Sequence, residues 1–269
     1  MKEKILKFLL LALVATVAFL AFGIGLHMGK SLPTDKIAPQ EKVTYHPIDP
    51  IPSSPQLSPL QAAQAANPDT VAWLTIPGTE IDEAVVQAKD NDYYLRRDAL
   101  GNPEQWGCTF SDYINDLSSR RNLHPNSILY GHSHNSENPE LPQFTQLFRY
   151  RDIDFLRENP AFTVVLVSGE TLTFQVAAVF YTGIDFDYID PFPEEEYYNS
   201  VKAKNLYQFK NIELAPDSKL LTLSTCAYKY DTNHTGDHRF VVVGKLLEDG
   251  ENEIVPIVEE NPEPELPKP

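Results

Sequence analysis

Positive charge is scarce in this 269-residue chain. Its 22 lysines and arginines stand against 38 acids, a formal net charge of −16. Nucleic-acid affinity comes mainly from neutralising phosphates, so this balance argues against a nucleic-acid partner. Glycine is also sparse, at 12 residues. Neither G-x-G-x-x-G nor G-x-x-x-x-G-K-[ST] occurs, which removes the common nucleotide-binding fingerprints. Cysteine is nearly missing: Cys108 and Cys226 are too few for a disulfide scaffold or a four-cysteine zinc site. No cofactor is called for.

What the chain does have begins with a long apolar run. From Phe8 to Leu26 no residue is charged, with Lys2, Lys4 and Lys7 before the run and Lys30 after it. At about 1.5 Å per residue it is just long enough for a ~30 Å hydrocarbon core. It exceeds a usual signal-peptide core and no convincing small-x-small cleavage site follows it, which favours an uncleaved anchor over the rival reading of a cleaved signal peptide. The flanking lysines place the N-terminus in the cytoplasm and the remainder outside. The reading is a single-pass anchor over residues 1–30, at the cell membrane, with an extracellular folded domain. Residues 31–59 carry seven prolines and read as an extended stalk. Ser58-Pro59-Leu60 opens a short alanine-rich helix, serine as N-cap and proline first. Asn67-Pro68-Asp69 stops it. Residues 248–269 hold eight acids, one lysine and five prolines, and so −7 of the net charge. That composition predicts a disordered tail and leaves 60–247 as the folded domain.

Strand signals dominate that domain. Ser127–Tyr130, Phe162–Val167, Thr171–Tyr181, Leu220–Thr225 and Arg239–Leu246 are β-branched or aromatic runs between turn residues. Ser168-Gly169-Glu170 reads as a hairpin turn. Helical pattern is clearest over 193–208, with Glu194, Glu195 and Glu196 favouring a helix start. Strands without regularly alternating helices favour a mainly antiparallel barrel or sandwich.

Three residues carry the candidate chemistry. Cys226 ends the apolar strand Leu220-Leu-Thr-Leu-Ser-Thr-Cys226. It reads as a buried hydrophobe, as half of a Cys108–Cys226 bridge, or as a nucleophile in need of a base or cation. His132 follows a strand in Tyr130-Gly131-His132-Ser133-His134-Asn135 and is the candidate partner, Gly131 allowing close backbone approach. A zinc set of His132, His134, His234 and His238 is the competing reading, without a carboxylate at the usual hydrolase spacing. Arg239 opens a strand thirteen residues after Cys226. Antiparallel pairing of the two strands would bring these ends together and let the guanidinium hold a carbonyl oxygen as it turns negative.

Taken in order, Tyr-Gly-His, Leu-Ser-Thr-Cys and Arg-Phe-Val-Val-x-Gly-x-Leu, behind one N-terminal anchor, resemble the sortases. Trp73–Asp82, Val85–Gln87, Asn91–Leu95 and Gly107–Tyr113 resemble segments of class B. The resemblance covers about 60–247. It implies a mainly β fold: a closed eight-stranded β-barrel with added helices, acting as a cysteine transpeptidase. Cys226 would attack the threonyl carbonyl of a sorting motif, typically Asn-Pro-x-Thr for the class, near the C-terminus of a surface protein. His132 would protonate the leaving amine and Arg239 would stabilise the tetrahedral intermediates. An amine of a cell-wall precursor or a pilin would then resolve the thioester. By the same similarity Asn91, Leu95, Tyr130, Tyr188, Ile189, Ser224 and Thr225 would line the substrate groove, with no metal. A cysteine endopeptidase using water, and a membrane-tethered binding module with a structural Cys226, remain as alternatives. His134, Cys108 and the acidic tail depart from the family pattern.

Overall fold

A computed structural model of the chain describes residues 57–268. The expected anchor over 1–30, and all but the last residues of the stalk, lie outside them. Among the described residues no helix is long and apolar enough to cross a membrane.

Helix α1 spans Pro59–Ala66 and starts as the sequence predicts. The Ser58 hydroxyl accepts from the Gln61 amide at 3.2 Å, and the Gln61 side chain accepts from the Ser58 amide at 2.9 Å. This reciprocal box satisfies two donors that a helix start otherwise leaves bare. Asn67 leaves the helix in an extended conformation, and its side-chain Nδ2 donates to the Tyr94 hydroxyl and to the Ala99 carbonyl.

Eight strands close into a barrel in the order β1-β2-β3-β4-β8-β9-β6-β5. They are β1 Thr70–Thr75, β2 Asp82–Val86, β3 Phe110–Ser111, β4 Asn126–Tyr130, β5 Ala161–Leu166, β6 Thr171–Gly183, β8 Leu220–Cys226 and β9 His238–Leu246. Most pairs are antiparallel; β2–β3 and β4–β8 are parallel. The hairpin turn stands where the sequence places it, with Gly169 at φ +90 between β5 and β6. Helix α2, Ile153–Glu158, and a 3₁₀ helix over Gln143–Arg151 lie between β4 and β5.

The barrel interior is apolar: Leu74, Val85, Leu129, Phe148, Phe162, Phe174, Leu223, Phe240 and Val242 are all buried in one cluster. On β9 the alternate residues Val241 and Val243 face a second cluster with Tyr197, Tyr198 and Val201 of helix α3, Glu195–Lys204. With both faces covered, β9 reads as a continuous hydrophobic run rather than an alternating one. On β6 the inward set changes from Leu172, Phe174 and Val176 to Val179 and Tyr181. A register shift between Val176 and Ala178 accounts for the change of parity, since one extra residue turns every following side chain over.

Two expectations need correction. Helix α3 is shorter than the predicted 193–208. Asn205 ends it, its side-chain oxygen accepting from the amides of Val179 and Tyr207, and Tyr207–Phe209 continues as strand β7. The tail from 248 is not simply disordered. Val258–Glu260 forms β10 antiparallel to β7, and Val258 is buried in the main core. Beyond it, the Asn261 amide donates to the Leu206 carbonyl and the Glu265 amide to that of Ala203. Composition predicted disorder because few tail residues are apolar, yet a short strand edge recruits main-chain groups that every residue carries.

Candidate active site

Cys226 closes β8 and is paired directly with Arg239, the second residue of β9. The predicted antiparallel meeting of these ends is therefore present. β4 runs parallel to β8 on its other side, with Tyr130 opposite Ser224. Past the strand end the two chains stay joined. The Gly131 amide donates to the Ser224 carbonyl at 3.2 Å, and the Thr225 hydroxyl to the Gly131 carbonyl at 2.7 Å. His132 follows Gly131 at the same end of the barrel at which β8 ends in Cys226. The Ser133 hydroxyl then donates to the Cys226 carbonyl at 2.6 Å. Gly131 is required there, because a Cβ would lie 2.5 Å from the Phe144 ring.

His132 is half-buried and held from one side. Its Nε2 lies 2.8 Å from the Leu95 carbonyl oxygen and 3.3 Å from the Arg96 guanidinium. A carbonyl oxygen only accepts and a guanidinium only donates, so the two contacts call for opposite tautomers. The shorter Leu95 contact favours the proton on Nε2, leaves the Arg96 approach a charge contact, and leaves Nδ1 for exchange. Burial holds the His132 imidazole below its ordinary pKa, and the Arg96 charge adds to this while the Leu95 hydrogen bond opposes it. Arg239 is anchored through Nη1, which donates to the carbonyls of Gly236 at 2.7 Å and His238 at 2.8 Å. Burial, then the adjacent Cys226 sulfur, push the Tyr228 hydroxyl above its ordinary pKa, and Arg239 and Arg96 pull it back. Cys226, Arg239, Arg96 and Tyr228 thus share one neighbourhood.

The predicted groove residues divide by what their side chains touch. Tyr188 is buried and its hydroxyl meets that of Ser224 at 2.9 Å. Burial raises the Tyr188 pKa, against the Ser224 bond and the Arg239 charge. Ser224 and Thr225 are themselves buried and spend their hydroxyls on Tyr188 and Gly131. Asn91 and Tyr130 converge on one buried carboxylate, each donating to Asp112 Oδ2 at 2.8 Å. Leu95 contributes its carbonyl to His132, and Ile189 is exposed.

Both cysteines are free, so the bridge reading fails. Burial, then the charges of Glu83 and Asp98, push the Cys108 thiol up to about 12. His134 stacks on Trp106, ring centroids 4.3 Å apart. Among the described residues no group of three or more His, Cys, Asp or Glu side chains is placed to hold a metal ion, so the four histidines of the zinc reading do not form a site. Arg96, Asp112 and Ser133 went unread in the sequence. Their neighbours Leu95, Tyr113 and His132 flagged the segments, but nothing local marks which side chain turns toward a distant strand.

The sortase-domain family model matches residues 74–247. Sortase B of Listeria monocytogenes is 37% identical over 194 residues, covering 70% of this chain and 74% of the relative. A Staphylococcus aureus sortase B–substrate complex superposes with TM-score 0.60 at 25% identity, over 71% of this chain and 85% of that one. Clostridium perfringens sortase B superposes with TM-score 0.57 at 28% identity, over 70% and 98%.

Proposed function

The chain belongs to the sortase family as a class B cysteine transpeptidase of surface proteins, and we propose that Cys226, His132 and Arg239 carry its chemistry. The observation that supports this most is the pairing of Cys226 with Arg239 across β8–β9, with His132 at the end of the adjoining parallel strand.

In this reading Nδ1 of the neutral His132 takes the Cys226 thiol proton, and the resulting thiolate attacks the threonyl carbonyl of a sorting motif of Asn-Pro-x-Thr type, forming the C–S bond. The carbonyl oxygen becomes an oxyanion beside the Arg239 guanidinium, whose anchored Nη1 fixes the direction of its remaining donors. Collapse breaks the peptide C–N bond, and Nδ1 of the protonated His132 gives its proton to the departing amine. The amine of a cell-wall precursor or pilin then attacks the thioester. His132 takes that amine's proton, and Cys226 leaves as thiolate, ready for the next turn. Ile189 and Tyr188 form part of the groove wall. Thr225 and Ser224 support it from beneath, and Asp112 orients Asn91 and Tyr130. That a similar structure was solved with a substrate supports a peptide groove on this barrel.

The organisation that goes with this activity is a membrane anchor over 1–30, a stalk over 31–59 and an extracellular catalytic domain from residue 60. The uncharged run Phe8–Leu26 behind three lysines supports it. The experiment is incubation with Asn-Pro-x-Thr peptides and an amine acceptor. A ligated product of the expected mass, missing from Cys226→Ala, is the expected result. Hydrolysis alone at saturating amine would overturn the transfer step, and full activity in Cys226→Ala would overturn the site.

A further inference from the structure

Outside the proposed site, one buried carboxylate lies on neither the groove nor the reacting atoms yet touches both catalytic loops. Glu137 lies five residues past His132 and is 5% exposed. Its Oε1 accepts from two successive backbone amides, Tyr228 at 2.6 Å and Lys229 at 2.8 Å, which follow Cys226. Its Oε2 accepts from the Tyr181 hydroxyl at 2.9 Å and from Arg151 Nη1 at 3.0 Å. Arg151 Nη2 also donates to the Glu137 carbonyl at 2.8 Å, and the Glu137 amide donates to the His134 carbonyl at 3.0 Å. Four donors on one carboxylate fill its acceptor positions.

The backbone at Glu137 is left-handed, with φ +50. Glutamate has no intrinsic reason to take that conformation, so the surroundings impose it. We infer that Glu137 is a positioning residue for transpeptidation, clamping the loop after His132 to the loop after Cys226 so that imidazole and sulfur keep one separation. This inference rests on the roles proposed above for those two residues. The clamp also aims the Tyr228 and Lys229 amides at a carboxylate, so neither faces the developing oxyanion, and that load stays with Arg239. Tyr181 joins the clamp to the barrel wall, since it pairs with Phe240, the neighbour of Arg239.

Misplacement of reacting groups by about 1 Å can cost ~100-fold in rate. The test compares Glu137→Ala and Glu137→Gln in the whole chain, using a sorting peptide with an amine acceptor. The rate of Cys226 alkylation by a small electrophile is read alongside. Glu137→Ala is expected to lower kcat by ~10–100-fold, leave KM within ~3-fold, and change the alkylation rate. Glu137→Gln is expected to fall between it and the parent, because its side-chain oxygen still accepts from Tyr228 and Lys229 while Arg151 loses its carboxylate.

A stabilising ion pair and nothing more would lower Tm while kcat per titrated thiol and the alkylation rate stayed at parental values. That result overturns the inference, as does a rise in KM alone. If Glu137→Ala does not fold, Glu137→Gln decides by the same two readouts. Cys226→Ala runs beside them. Activity there would sink the site assignment itself, whereas an inactive Cys226→Ala with an unchanged kcat in the Glu137 variants sinks only the clamp.

Discussion

The carbonyl oxygen of Leu95 lies 2.8 Å from Nε2 of His132. A backbone acceptor thereby selects the Nε2–H tautomer and leaves Nδ1 to work. Nitrogen NMR at neutral pH should show Nε2 protonated and Nδ1 bare. Burial and the Arg96 charge should make the imidazole titrate below the usual ~6.5. Replacing Arg96 by glutamine removes a like charge from beside the imidazolium, so the His132 pKa should rise. A fall, or no movement, would show that Arg96 does not act on the ring.

Cys226 and Cys108 should differ in reactivity. Cys226 ends a strand beside Arg239, whereas the Cys108 thiol is pushed up to about 12. At neutral pH almost no Cys108 is thiolate, the form that reacts. Native alkylation followed by peptide mapping should mark Cys226 alone. Cys226→Ala should abolish cleavage, while Cys108→Ala should keep most activity. Equal losses in the two variants would remove the distinction.

His132 and His134 are separated by one residue, and in the sequence Tyr130-Gly131 before His132 is what tells them apart. His134 stacks on Trp106, and its amide donates to the Thr145 hydroxyl at 2.9 Å. General acid catalysis contributes about 10²–10⁴-fold. His132→Ala should therefore cost at least ~100-fold in turnover and His134→Ala under ~10-fold. Loss of activity on adding a chelator would return the zinc reading.

The barrel was legible where side chains carry the signal. β5, β6, β8 and β9 are long β-branched or aromatic runs, and their bounds in the structure shift by one or two residues. β3 is two residues long and β2 opens on Asp82 and Glu83, so neither displays a strand pattern by itself. Resemblance, not periodicity, pointed to those segments. At the site the same line holds. Cys226, His132 and Arg239 stand at strand ends and were readable. The Leu95 carbonyl, the Asp112 carboxylate under Asn91 and Tyr130, and the Ser133 hydroxyl on Cys226 were not. Their partners lie many residues away, and a main-chain acceptor leaves no mark on residue type.

The tail gives a stability test of the same point. Val258 is buried against the main core and β10 pairs with β7. Val258→Ala removes two buried methyl groups, worth roughly 2 kcal/mol at ~0.8 kcal/mol per carbon with a small cavity term. Urea denaturation should show this loss. A detached, solvated tail would make the substitution silent.

Arg239 meets the sharpest chemical demand. As Cys226 attacks, the threonyl oxygen gains negative charge, and losing one oxyanion donor typically costs ~10²–10³ in turnover. One guanidinium nitrogen is already spent on the Gly236 and His238 carbonyls. The planar fork lets those bonds orient the donors that remain, whereas a lysine ammonium is a point charge on a flexible stem. A lysine that reached the same two carbonyls would have little left for the substrate, and one that reached the substrate would be unanchored. Arg239→Lys should therefore lose most of what Arg239→Ala loses, with kcat affected more than peptide KM and the circular dichroism spectrum unchanged. Near-parental turnover in the lysine variant would mean that Arg239 supplies charge without direction.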